Sequence, residues 1–217
     1  EQIIYSHISQ SGIVPHGKNT YKKRSDSLID QISDLNQSIL ALSQYQEYQN
    51  LCDSLVGLKK SKITNLATLL TVYNSTINYS KLLSHIQGTH PDLKSQSLEV
   101  IKGSIGPKRM DRLTHALDPK MDGDQRINPS SILRKFFDSE NQPTISALLS
   151  LVTQENITEF QSFLQTCLEH KDDEIRNLSF QTIIKYESDP VLLEEAKKKI
   201  SGESNMETPD SEPHFQS

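Results

Sequence analysis

Tryptophan is absent from this 217-residue chain, cysteine occurs twice, and aromatic residues make up only 6% of it. Cys52 and Cys167 are too few and too far apart in sequence to staple a fold, which excludes a disulfide scaffold and suits a reducing compartment, cytoplasmic or nuclear. No stretch of about 18 consecutive apolar residues is present, so no membrane-spanning helix is expected. The opening Glu1-Gln2-Ile3-Ile4-Tyr5 lacks the basic and apolar regions of a signal peptide. It starts with Glu rather than Met, as a piece of a longer polypeptide would. Neither sign of charge dominates: 23 Lys and Arg stand against 28 Asp and Glu, and this mildly acidic balance disfavours a dedicated polyanion binder.

Chemical signatures are missing as well. No G-x-S-x-G, Walker loop or dinucleotide fingerprint occurs, and neither cysteine has a local activating context, so no catalytic residue and no cofactor is assigned. The seven histidines include no i, i+4 pair with an intervening Glu, and no metal is assigned. The run Asp118-Pro-Lys-Met-Asp122-Gly-Asp124 places carboxylates at alternate positions like a calcium loop. The ligand pattern then fails, because Lys120 and Pro129 fall where acids are needed. Period-two alternation is nearly absent and no Asn-Gly or Asp-Gly turn joins two β-branched runs, so strands are not expected.

What remains is helical punctuation. Residues 1–24 carry Gly12, Pro15 and Gly17 and end in Lys18, Lys22, Lys23 and Arg24, which reads as a flexible basic arm. From Ser25 the residues Leu28, Ile32, Leu35, Ile39 and Leu42 are spaced 4, 3, 4, 3 along one helical seam. Ser25 or Asp26 is placed to cap it. The seam falters at Gln46 and Gln49, so residues 25–57 read either as a coiled-coil helix, self-associating through 25–55, or as an amphipathic helix packed on the following domain; the second is favoured. Residues 58–200 then read as helices over 62–74, 78–85, 93–101, 108–117, 130–137, 144–154, 158–169, 173–186 and 190–200. Gly88, Pro91, Gly103, Gly106-Pro107, Pro119, Gly123, Pro129, Pro143 and Pro190 fall between them. Residues 201–217 are polar, acidic and proline-bearing, a disordered tail in which Thr208 and Ser211 are candidate phosphorylation positions. The fold class expected is all-α.

Short amphipathic helix pairs cannot each bury a face alone and are usually stacked. The stretch 160–186 runs from an apolar helix ending in Cys167-Leu168, through the charged turn Lys171-Asp172-Asp173, into a second apolar helix opened by Glu174-Ile175-Arg176. It resembles a HEAT-type repeat of the HEAT/armadillo class, whose turn reads Asp-x-x-Val-Arg; Asp172, Ile175 and Arg176 match that turn, and Leu178, Ser179, Thr182 and Ile183 match the residues after it. A second copy lies at 90–102, with Pro91 to Lys94 in the turn and Leu98 and Ile101 inside. The offset 175 − 93 = 82 is about two periods of a repeat of roughly 40 residues. The resemblance implies a short helical-repeat array acting as a non-enzymatic scaffold or adaptor subunit. It also implies a protein partner, and Lys94 and Arg176 as ladder positions toward neighbouring acids.

An alternative function rests on bases. Lys102-Gly-Ser-Ile-Gly-Pro-Lys108-Arg109 holds a G-x-x-G flanked by cations, as in RNA-clamping loops, although a linker whose Pro107 opens the next helix is favoured. In that alternative a nucleic-acid or ribonucleoprotein accessory factor engages phosphates through Lys18, Lys22, Lys23 and Arg24 and through Lys102, Lys108, Arg109 and Arg112.

Overall fold

A computed structural model of the chain describes residues 18–118 and 128–186, together with 193, 194 and 197. Among them every regular element is helical: α1 (Lys18–Leu42), a 3-10 turn (Gln46–Tyr48), α2 (Gln49–Tyr73), α3 (Tyr79–Gln87), α4 (Pro91–Ile105), α5 (Pro107–Leu117), α6 (Pro129–Arg134), α7 (Gln142–Ser150), α8 (Ile157–Leu168) and α9 (Asp173–Tyr186). Proline opens α4, α5, α6 and α7 within the first two positions, where the lost N–H has no intrahelical partner to miss. The expected helix over 190–200 lies outside the described residues except for Leu193, Glu194 and Lys197, which are helical. The calcium-like run beyond Asp118, the tail 201–217 and residues 1–17 also lie outside them. The chain divides into two compact units, Glu1–Ile132 and Leu133–Ser217.

In the first unit, α1 begins at Lys18, so the cluster expected on a flexible arm sits on the first turns of a helix. Ser25 and Asp26 are therefore not caps. Ser25 is buried and its hydroxyl donates to the Tyr21 carbonyl at 3.0 Å. The chain turns at 43–48, and α2 then passes straight through Gly57, which had marked a boundary on sequence grounds. Contacts Ile39–Cys52 and Asn36–Lys59 and the stack of Tyr21 on Tyr73, with ring centroids 4.1 Å apart, run in opposite order along the two helices. The hairpin α1–α2 is therefore antiparallel. Asp26–Arg109, Asp30–Arg112 and Asn36–Ala116 keep nearly constant separations of 83, 82 and 80 residues, so α1 and α5 run parallel.

Much of the 25–42 seam, for which packing on the following helices is favoured over a coiled coil, is covered within the chain: Ile32, Leu35 and Leu42 are 6% exposed or less. Ile29 and Ile32 join Ile63, Leu66 and Leu70 of α2, Tyr79, Leu83 and Ile86 of α3, Ile101 and Ile105 of α4, and Met110, Leu113 and Ala116 of α5 in one core. Burying each large apolar side chain contributes roughly 1.5–3 kcal/mol, which is why this helix is held by its own chain.

The second unit holds α7, α8 and α9. Asn141 caps α7, accepting from the Thr144 N–H at 3.1 Å, and Asp172 caps α9, accepting from Glu174 and Ile175 N–H at 3.0 and 3.2 Å. Ile175 and Ile183 of α9 are each 1% exposed, and Phe160, Phe163, Leu164 and Cys167 of α8, on which α9 packs, are buried as fully or nearly so. The buried Ser179 hydroxyl bonds the Leu164 carbonyl at 2.9 Å, which leaves no polar orphan between α8 and α9. Phe137 packs on Phe160 and Phe163 with centroids 5.2 and 5.0 Å away.

Candidate functional site

The two residues expected to ladder between repeats do something more local. Arg176 donates to the His170 carbonyl at 2.7 Å and pairs with Asp173, closing its own turn. Lys94 approaches Asp118 at 3.6 Å, but Asp118 is 76% exposed and the pair contributes little. In the same copy Leu93 is 40% exposed while Ile101 is buried, so the packing of α4 begins a turn later than the repeat register places it.

The basic residues of the nucleic-acid alternative are partly spent. Arg109 donates two bonds to Asp26, at 3.0 and 2.9 Å, and Arg112 bonds Asp26 at 2.8 Å and Asp30 at 2.5 Å. The Arg109 hydrogen bond, opposed in part by burial, holds the Asp26 carboxyl below the usual range, and the Asp30 bond raises Arg112 further. The surface groove of about 290 Å³ beside Gly106 brings Lys108, Arg109 and Arg112 together with Asp26 among them. It does not include Lys102. Nor is the G-x-x-G a loop: Gly103 lies inside α4 and only Gly106, at φ 83°, forms the linker, followed by Pro107, which has no N–H to offer a phosphate. Lys22 and Lys23 are exposed, and Arg24 is half-buried.

A polar network that the sequence did not announce ties three helices together. The Asn36 amide donates to the Ala116 and Leu117 carbonyls at 2.9 and 3.3 Å, and its oxygen accepts from Lys59 at 2.9 Å. The carbonyl end of α5 thus gains donors, and a cation stands behind it, as the helix dipole favours. Burial pushes the Lys59 amine down, and Lys60 adds to the shift. Burial also raises the Tyr21 phenol to about 12, the Cys167 thiol to about 12, and the Cys52 thiol. Thiols so placed are poor nucleophiles. Among the described residues no group of three or more His, Cys, Asp and Glu could hold a metal ion, and no helix is long and apolar enough to cross a membrane.

A surface groove lies in the second unit, beside the repeat-like turn. The groove, of about 750 Å³, is lined by Glu140, by Ser162, Gln165 and Thr166 of α8, and by the turn residues Glu169 and His170. His170 Nδ1 accepts from the Asp172 N–H at 3.1 Å, which leaves Nε2 as the proton-bearing nitrogen of the neutral ring. One amide, a hydroxyl pair, two carboxylates, an imidazole and the Lys171 ammonium therefore share one open channel beside Leu168. Comparison with protein-family models, with curated proteins and with solved structures gives no match.

Proposed function

We propose that the protein is a non-enzymatic helical interaction module, HEAT-like in its helix pairs, that receives a segment of another protein in the groove beside α8. The observation carrying this reading is the lining of that groove. Its donors and acceptors of both charge signs are set along a helix face and a capped turn. Such a lining satisfies the alternating N–H and C=O groups of an extended polypeptide, whereas a small-molecule site would converge fewer polar groups in a more enclosed and apolar pocket. Rigid support comes from the Asp172 cap and the Arg176–His170 bond, which fix the turn before anything binds and so lower the ordering cost.

Gln165 and Thr166 are exposed, so replacing both with Arg fills the channel without touching the core. Affinity capture from cells with the wild-type chain and with Gln165→Arg/Thr166→Arg should differ by the loss of a defined protein set, at unchanged helix content. Identical captures would reject the groove. The accessory-factor alternative is weakened by the commitment of Arg109 and Arg112 to carboxylates.

A further inference from the structure

In the turn between α8 and α9, Asp172 is held through both its side chain and its backbone. The carboxylate caps α9 through Oδ1 and accepts from the Gln142 side-chain amide, at the start of α7, through Oδ2. The Asp172 N–H donates to His170 Nδ1 at 3.1 Å, and the His170 carbonyl accepts from Arg176 at 2.7 Å. One residue therefore ties the end of α8 to the starts of α9 and α7, and an imidazole ring holds its amide in place. That ring also lines the groove beside α8, together with its neighbours Glu169 and Lys171.

Of these bonds, the one to the ring is sensitive to mild acid. Carboxylates and guanidinium groups ordinarily keep their charge down to about pH 5, whereas a ring nitrogen accepts a hydrogen bond only while it carries no proton. Imidazole takes up its second proton between roughly pH 7 and pH 5. Both nitrogens are then donors, and Nδ1–H meets the Asp172 N–H. Turning the ring over brings a carbon to the same place, so a protonated ring loses the bond in either orientation. The bond favours the neutral ring, hence it is complete above the imidazole range and released as pH falls through it.

The charges around the ring do not prevent this. Glu140, ahead of α7, shares the groove with Glu169 and Lys171, and on α9 Asp173 is paired with Arg176. The residues that α8 gives to the groove, Ser162, Gln165 and Thr166, are neutral. Both signs therefore flank the imidazole, and no field of one sign fixes its protonation state.

From this geometry we infer that His170 is a proton-operated clasp on the α8 groove: the neutral ring holds the turn 169–172 in place for a partner, and the protonated ring frees Asp172 and weakens docking. The inference rests on the docking reading of that groove for what the clasp controls, while the clasp itself is measured on the free chain.

The test is NMR on the full chain from about pH 7.5 to about pH 5.5, for wild type, His170→Ala and His170→Asn, followed by partner retention over the same range. In wild type the Asp172 amide should lose about fivefold to tenfold of its exchange protection, with the midpoint of the His170 ring signals. His170→Ala should leave it poorly protected at both ends of the range. His170→Asn sets a carbonyl oxygen, which does not titrate, near the position of Nδ1 and should keep it protected throughout, with the Ile175 and Ile183 signals unmoved as the check on folding. A partner captured at neutral pH should bind wild type about tenfold more weakly in mild acid and bind His170→Asn equally at both ends. The inference is overturned by an Asp172 amide that ignores the titration of the ring, or by wild type and His170→Asn losing the partner alike. Failure to recover any partner at neutral pH rejects the docking reading instead, and the Asp172 amide still decides the clasp.

Discussion

Asp26 joins the first half of α1 to the start of α5 through two arginines. Its side chain is 30% exposed, so water screens the pairing and the net effect is smaller than the geometry alone suggests. Asp26→Asn should lower the unfolding free energy by about 1–2 kcal/mol in urea denaturation near neutral pH. The sign of the pH effect follows from the shift. The folded carboxyl titrates below its ordinary value of 3.8, so the unfolded chain takes up the proton first. The stabilisation is complete above about pH 5 and disappears as pH falls through the folded value, so wild type and variant should converge in acid. A gap that widens on acidification would contradict the assignment. The two cysteines give a second check at this scale: both are buried, and a thiol reagent should label neither before unfolding.

At the scale of the helix, glycine separates cases that look alike in sequence. Gly57 lies within α2 and Gly103 within α4, and a Cβ added at either meets nothing within 4 Å, whereas Gly106 has φ 83°. Gly57→Ala and Gly103→Ala should therefore each stabilise by about 0.5–1 kcal/mol, and Gly106→Ala should destabilise by about 1–2 kcal/mol, read from thermal melts. The same residues show what was legible beforehand. At α9 the reading succeeds, since the helix runs over Asp173–Tyr186 as its Asp cap and apolar spacing imply, whereas the caps expected at Ser25 and Asp26 lie inside α1. The helical class followed from apolar spacing of three and four residues, with Pro and Gly between the stretches and alternation missing. Gly57 misled, because helix propensity is a weak prior and the apolar face on both sides of it is buried against α1 and α3. The turn at 43–48 contains neither Gly nor Pro, and in the stretch by which α1 extends back to Lys18, Tyr21 stacks on Tyr73, a contact no local pattern announces. The pairing of Asp26 with Arg109 spans 83 residues and was equally hidden, which is why those arginines looked available for phosphates.

Across the whole molecule, the division at Ile132 and Leu133 implies that damage to one core stays there. Ile175 is 1% exposed, and Ile175→Asp buries a charge with no partner, at a cost of at least about 3 kcal/mol. Hydrogen exchange should then show α7, α8 and α9 losing protection while α1 to α5 keep theirs; simultaneous loss in both would mean that the units do not fold separately. The reading of the protein as a docking module is tested most directly by hydrogen exchange on the full chain, alone and with the partner recovered by capture. Added protection should concentrate in the peptides covering residues 162–171. Protection appearing elsewhere, with that stretch unchanged, would contradict it.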